Sequence, residues 1–365
     1  MTDKSRPEAL PGIQAIEPYK PGKATAIGSA KPVKLASNEN PFGPSPKAMA
    51  AYREAAAKLE VYPEGTAAAV REAIGARYGL DPARIICGAG SDEIFKLLAT
   101  AYLGPGDEMI QSEHAFSIYH IVGQQSGAVT KVAKNKDLVA QVDTILALVS
   151  PRTKIVWLDN PNNPTGTYLP YEEVRRLHAG LPSNVLLVID AAYAEFVQKN
   201  DYSPGIELVS ENQNVIMTRT FSKIYGLAAA RLGWAYAPAH VIETLNKVRM
   251  PFNVSTPAAM AGIAAIQDIA FAEMSAEHNA RELPRVTVAL EAMGLSVAPS
   301  VGNFVLVSFP EKAGKTAADA DDFLLRRGFI LRRMEGYGLP NALRLSIGKT
   351  EENTGVLAAL KDFMS

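Results

Sequence analysis

The run Val185-Leu186-Leu187-Val188-Ile189 stops at Asp190. A strand with apolar side chains on both faces must be covered on both faces, which is how parallel strands sit between two layers of helices. Shorter runs repeat the theme: Ile85 to Cys87 after Arg84, Ile155 to Leu158, Asn214 to Thr218 and Leu232 to Ala237. Segments of helical spacing alternate with them. One follows Ser45-Pro46, an N-cap with a first-turn proline, and runs towards Leu59. A second is opened by Ser91 and carries Ile94, Leu97, Leu98 and Ala101; a third carries Val174, Leu177, His178 and Leu181. The alternation predicts an α/β fold with a mostly parallel sheet between helices.

After Pro257 the pattern changes. An Ala-rich helical stretch to about Met293, with a break expected near Pro284, precedes strands at Phe304 to Phe309 and Ile330 to Arg332 and a helix over 317–327. Leu343, Leu345 and Ile347 alternate with Arg344 and Ser346, so a strand there turns both polar side chains to one face. A smaller α+β unit is expected. The predicted division is an arm over 1–40, rich in Pro, Gly and Lys, a large unit over 41–253 and a small unit over 254–365. The length, 365 residues, agrees with about two domains.

Composition excludes several classes. Lys and Arg (37) nearly balance Asp and Glu (38), which argues against affinity for nucleic-acid phosphate. With 47% hydrophobic and 21% charged residues the chain is far from disorder. Cys87 is the only cysteine, so neither an intrachain disulfide nor a CxxC metal site exists. Behind Met1 there is no apolar core of a signal peptide, and no apolar run approaches the ~20 residues that span a bilayer. The expectation is a soluble cytoplasmic enzyme without a membrane or nucleic-acid partner. Gly348-Lys349-Thr350 and Gly314-Lys315-Thr316 lack the earlier glycine of a P-loop, and Gly88-Ala89-Gly90 lacks the third glycine of a dinucleotide fingerprint, where Glu93 stands. The histidines lack zinc spacing.

Four local features remain. Asn160-Pro161-Asn162-Asn163-Pro164-Thr165-Gly166 follows a strand; it is either a plain turn or a loop aiming the Asn163 amide at a ligand beside the sheet's carboxyl edge. Asp190, with Tyr193 behind it, either caps the next segment or faces a cationic ring nitrogen. Thr220-Phe221-Ser222-Lys223, with Arg231 beyond, offers an amine able to add to a carbonyl beside hydroxyls and a guanidinium suited to phosphate, although a lone lysine is ordinarily a surface residue. Gly88 to Glu93 lies at a strand-to-helix junction, where capping by Ser91 and anion binding are compatible. A phosphate, an aldehyde and a protonatable ring nitrogen occur together in pyridoxal 5′-phosphate.

The run from Asn163 through Asp190, Tyr193 and Lys223 to Arg231 resembles the fold-type I, aspartate-aminotransferase-like superfamily. Further stretches resemble its histidinol-phosphate aminotransferase branch: Glu17-Pro18-Tyr19-Lys20-Pro21-Gly22, Leu35 to Pro41 with Asn38 inside it, Tyr62-Pro63, Thr220 to Gly226, and Leu343 to Gly348. The resemblance implies that Lys223 holds the cofactor aldehyde as an imine and later moves the proton, that Asp190 keeps the pyridine nitrogen protonated, and that Tyr193 and Asn163 bond the 3′ oxygen. Phe116 would stack on the ring, in Glu113-His114-Ala115-Phe116 where the branch more often has Pro-Thr-Tyr; plain core packing is its other role. Ser91, Asp92, Thr220, Ser222 and Arg231 would take the cofactor phosphate. Tyr62 would reach the phosphate of a partner in a homodimer, and the N-terminal arm would lie on the small unit and that partner.

The resemblance further implies that Arg344 takes the carboxylate of the amino-group acceptor. Arg332, with Arg333 as its neighbouring competitor, would take the substrate's own phosphate, and Tyr19 and Asn38 would join the substrate site. The reaction implied moves an amino group from L-histidinol phosphate to 2-oxoglutarate, giving L-glutamate, within histidine biosynthesis. Aromatic amino-acid or prephenate aminotransferases and threonine-phosphate decarboxylases share much of the pattern.

Overall fold

The computed structural model describes residues 7–19, 22, 23, 25 and 32–365. Lys20 and Pro21 of the arm motif, and residues 1–6, 24 and 26–31 of the expected arm, lie outside the described residues.

The five apolar runs become strands of one seven-stranded sheet, which also holds Glu108–Ser112 and Val129–Ala133, two strands that the sequence reading did not identify. Its strands are β1 (Ile85–Gly88), β2 (Glu108–Ser112), β3 (Val129–Ala133), β4 (Thr153–Asp159), β5 (Leu186–Asp190), β6 (Val215–Thr220) and β7 (Gly233–Tyr236), in the order β1-β7-β6-β5-β4-β2-β3. Pairing is parallel from β6 through β3, and β7 runs antiparallel to both neighbours. Alternate residues of the central strands enter two different cores. Leu187 and Ile189 face one with Val156 and Leu158, while Leu186 and Val188 face the other with Ile155 and Trp157. Each such side chain, fully buried, contributes roughly 1.5–3 kcal/mol, so β5 is fixed from both faces at once.

The reversed β7 positions a site residue. Parallel strands end at the carboxyl edge of the sheet, whereas an antiparallel strand begins there. Arg231, just before β7, therefore stands at the same edge as Asp159, Asp190 and Thr220, which close β4, β5 and β6.

Beyond the sheet the chain differs in three places from the periodicity. Helix Thr256–Gln267 packs Ala258, Ala261, Ala265 and Ile266 into the core of the large sheet, so the change of core falls inside the next helix, Ile269–Glu291, rather than at residue 254. That helix passes through Pro284 without a break. Its buried face, Ser275, His278, Asn279, Glu282, Val286 and Leu290, runs on across the proline and outweighs the lost backbone bond. The interruption is at Asp268 instead, whose carboxylate takes Lys47 Nζ at 3.0 Å. The third difference is in the expected strand over Ile330 to Arg332. Phe329–Ile330 pairs in parallel with Val33–Lys34, while the next strand, Arg332–Arg333, belongs to a separate sheet.

That second sheet holds β8 (Ser296–Val297), β9 (Phe304–Ser308), β10 (Arg332–Arg333) and β11 (Ala342–Ser346), antiparallel in the order β10-β11-β9-β8. Leu343 and Leu345 enter its core with Val305 and Val307. Arg344 and Ser346 turn the other way, towards the large sheet.

Candidate active site

One cavity lies between the carboxyl edge of the large sheet and the polar face of β11. Of the candidate residues read from the sequence, all but Tyr62 line it. Tyr62 stands outside, 79% exposed, stacked on Phe252 with ring centroids 4.8 Å apart.

At the end of β5 the Asp190 carboxylate is buried and accepts from Tyr119 Oη at 2.7 Å, Thr218 Oγ1 at 3.2 Å and the Ala192 N–H at 3.2 Å. Burial dominates and pushes this carboxyl up to about 6 despite those donors. Lys223 follows β6. Its Nζ donates to the Ser37 carbonyl at 3.0 Å and lies 5.6 Å from the centre of the Tyr193 ring. Burial, reinforced by the positive charge of Arg344, brings this amine down to about 8. The Tyr193 hydroxyl accepts from Asn38 Nδ2 at 2.9 Å, and burial pushes the phenol well above its ordinary value. Asn38 is fully buried at φ 55, a conformation that asparagine tolerates better than most residues. Its N–H donates to Ser346 Oγ at 2.8 Å, which in turn donates to Asn38 Oδ1 at 3.0 Å.

The opposite end is basic and polar. The helix Ser91–Tyr102 starts at the cavity with its positive dipole end. Ser91 is its first residue rather than its cap; Gly90, at φ 84, takes the cap position. A Cβ on Gly90 would stand 2.5 Å from Arg231 Nη2, so the close approach of that guanidinium requires glycine. Arg231 Nη2 also donates to Asp92 Oδ2 at 3.1 Å, and Thr220 Oγ1 accepts the Ser222 N–H at 3.1 Å.

On the small-unit side, Arg344 donates through Nη1 to Asn163 Oδ1 and through Nη2 to the Ala36 carbonyl at 2.9 Å. Its Nε is buried and has no hydrogen-bond partner among the described residues. The Arg332 guanidinium lies over the Tyr19 ring, 5.7 Å from its centre.

Comparison with known proteins places this geometry. The model of the family "Aminotransferase class I and II" matches residues 30–360. The chain belongs to that family. A histidinol-phosphate aminotransferase of Rhodopseudomonas palustris (strain HaA2) is 57% identical over 362 residues, 99% of both chains. The crystal structure of histidinol-phosphate aminotransferase from Sinorhizobium meliloti, in complex with pyridoxal-5′-phosphate, superposes with a TM-score of 0.90 at 28% identity, covering 99% of this chain and 98% of that one. L-threonine-O-3-phosphate decarboxylase from Porphyromonas gingivalis, at 22% identity and a TM-score of 0.79 (91% of this chain, 99% of that one), shares the fold alone.

The aminotransferase cavity has the chemistry to hold pyridoxal 5′-phosphate. Asp190 is buried among hydrogen-bond donors, without an ion pair among the described residues, and burial pushes its carboxyl up, so a ring N–H⁺ would relieve it. Lys223, drawn towards its neutral form, suits addition to an aldehyde. The helix start, the Thr220 and Ser222 hydroxyls and Arg231 suit a phosphate dianion. The orphaned Arg344 Nε suits a carboxylate.

The aminotransferase site also holds residues that the sequence reading passed over. Tyr119 and Thr218 bond Asp190 directly, and Tyr337 lines the cavity. Asp159, at the end of β4, is buried beside its register partner Asp190. Burial, with the charge of Asp190 adding to it, pushes Asp159 up to about 7. The signal was present for Asp159, which ends an apolar strand run as Asp190 does. Tyr119 lies a helical step beyond Phe116, which spacing alone does not distinguish from core packing.

Proposed function

We propose that the chain is a histidinol-phosphate aminotransferase that moves the amino group of L-histidinol phosphate to 2-oxoglutarate, forming imidazole-acetol phosphate and L-glutamate, in L-histidine biosynthesis. The observation that carries the chemistry is the meeting of the Lys223 amine, the Asp190 carboxylate and the Arg344 guanidinium in one cavity. Near-full-length likeness to the R. palustris histidinol-phosphate aminotransferase supports the substrate.

Bound pyridoxal 5′-phosphate supplies an aldehyde that holds amines and a protonated ring that accepts an electron pair. The residues of this chain do the rest. Lys223 Nζ would tether the cofactor and, released as an amine, would take the proton from the amine-bearing carbon of the donor and return it to the carbon of the former aldehyde. Asp190, held by Tyr119, Thr218 and Ala192, keeps a proton on the ring nitrogen. Asn163 Oδ1 is engaged by Arg344, which leaves its Nδ2 to donate, with Tyr193 Oη, to the 3′ oxygen. Phe116 supplies the ring's aromatic wall. Backbone N–H groups around Ser91 and Asp92, with the Thr220 and Ser222 hydroxyls and Arg231, would receive the phosphate.

Donor and acceptor use the site in turn, a ping-pong sequence. Arg344 binds the acceptor's carboxylate by exchanging two neutral partners for one charged one. Arg332 binds the donor's phosphate, with Tyr19 covering the entrance and Asn38 shaping the floor. Tyr62, exposed on this chain, completes the phosphate site of a second copy in a homodimer.

A half-reaction panel tests the proposal. The cofactor-loaded protein is mixed with histidinol phosphate, phenylalanine, tyrosine or threonine phosphate, and loss of the visible band and the products are followed. Histidinol phosphate is expected to react fastest and to yield a ketone. Preference for an aromatic amino acid, or release of carbon dioxide from threonine phosphate, would overturn the substrate. Arg332→Ala is expected to raise KM for histidinol phosphate by ~10-fold or more, with little change for phenylalanine.

A further inference from the structure

The chemistry above leaves one buried acid of the cavity without a task. Asp159 ends β4, one strand from Asp190 and in register with it. A second buried carboxyl beside Asp190 carries an electrostatic penalty, so its hydrogen bonds matter. One oxygen, Oδ2, accepts two backbone N–H groups: Phe116 at 3.2 Å and Asn163 at 3.2 Å. These donors come from different loops. The first follows β2 and carries the aromatic side chain; the second follows β4 and carries the amide bonded to Arg344. Asn162 Nδ2 adds a parallel bridge to the His114 carbonyl at 3.2 Å.

We infer that Asp159 is a positioning residue: its shared oxygen fixes the spacing between the aromatic wall at Phe116 and the polar edge at Asn163, two sides of the cavity that would hold the cofactor ring. The inference rests on pyridoxal 5′-phosphate being the occupant of the cavity. It requires an acceptor with two lone pairs at that point, not a negative charge. An asparagine Oδ1 meets that need, and an alanine does not.

The experiment compares wild type, Asp159→Asn and Asp159→Ala in two ways. In cofactor-free protein, amide hydrogen exchange is read over segments 113–118 and 160–166. The alanine variant is expected to exchange about tenfold faster in both segments together, with the helix Ser91–Tyr102 unchanged, and the asparagine variant to match wild type. With pyridoxal 5′-phosphate, equilibrium dialysis is expected to show affinity about tenfold weaker for alanine and within about threefold for asparagine. Visible circular dichroism per bound cofactor should change for alanine alone.

Wild-type exchange in either segment of the alanine variant would overturn the inference. So would an asparagine variant that loosens both segments and loses cofactor, because charge would then be the requirement. Should alanine fail to fold, Asp159→Ser, whose side chain is too short to reach both donors, takes its place in both arms. If wild type takes up no cofactor, the proposed function fails, while the exchange arm still judges the clamp.

Discussion

Lys223 shows how burial prepares a single side chain. An ordinary lysine amine is almost wholly protonated near neutrality. Here burial first, and Arg344 second, bring it down to about 8, so its free-base fraction rises through that pH. Imine formation between cofactor-free protein and added pyridoxal should follow that rise, and Arg344→Gln should move the midpoint upward, slowing capture at pH 8. Stopped-flow absorbance checks both. The acids behave oppositely. Asp159 at about 7 and Asp190 at about 6 keep protons in the folded chain that an unfolded chain sheds near its ordinary value of about 4. Stability from these groups is therefore full below about 4 and is lost as pH rises through 6 to 7. Thermal melts of cofactor-free protein should show wild type losing ground to Asp159→Asn over that interval. Residues closing a strand run, such as Asp190, or following one, such as Lys223, were legible from sequence because polarity changes abruptly there. Tyr119 was not, because only the fold brings it 2.7 Å from Asp190.

Among elements, the strand ends and the helix start do most to build the cavity. At the junction from β1 into helix Ser91–Tyr102, Gly90 holds φ 84 with Arg231 Nη2 2.5 Å from where a Cβ would stand. Gly79 also has a positive φ, 68, but nothing lies within 4 Å of a Cβ added there. Gly90→Ala and Gly79→Ala should therefore separate two effects. Gly79→Ala pays for left-handed backbone (φ 68, ψ 35), about 1–2 kcal/mol read in denaturant melts, whereas Gly90, at φ 84 and ψ 167, lies in a region that glycine alone occupies readily, so Gly90→Ala should cost more. Only Gly90→Ala should also weaken cofactor binding, by about tenfold in equilibrium dialysis, because Arg231 must move. Apolar runs made five strands of the sheet readable in advance, and alternation made β11 readable, whereas β2 and β3 interleave polar side chains and were not foreseen. Proline was the misleading signal: Pro284 lies within an unbroken helix because packing on both sides of it holds the turn. Strand direction was not encoded locally either, so the reversal of β7 that brings Arg231 to the cavity came only with the fold.

For the whole molecule, the isolated position of Tyr62 has a direct test. If each cavity borrows this side chain from a second copy, Tyr62→Ala and Lys223→Ala chains should complement each other. Each homodimer alone is weak or dead, yet a refolded mixture contains hybrids with one complete site, so its activity should exceed the sum of the parents; merely additive activity would show that Tyr62 serves no partner. The change of core inside helix Ile269–Glu291 could not be read from composition, because its Ala-rich predecessor suits either unit and only packing assigns it to the first. The cavity also joins distant parts of the chain. Asn38 and Ser346, bonded to each other, are 308 residues apart, and Arg344 reaches Ala36 across a similar interval. On a ribosome, the large sheet has all its strands long before β11 emerges. The strand that carries Arg344 is thus the last piece of the cavity to be made, and the pocket is complete only when synthesis is nearly finished.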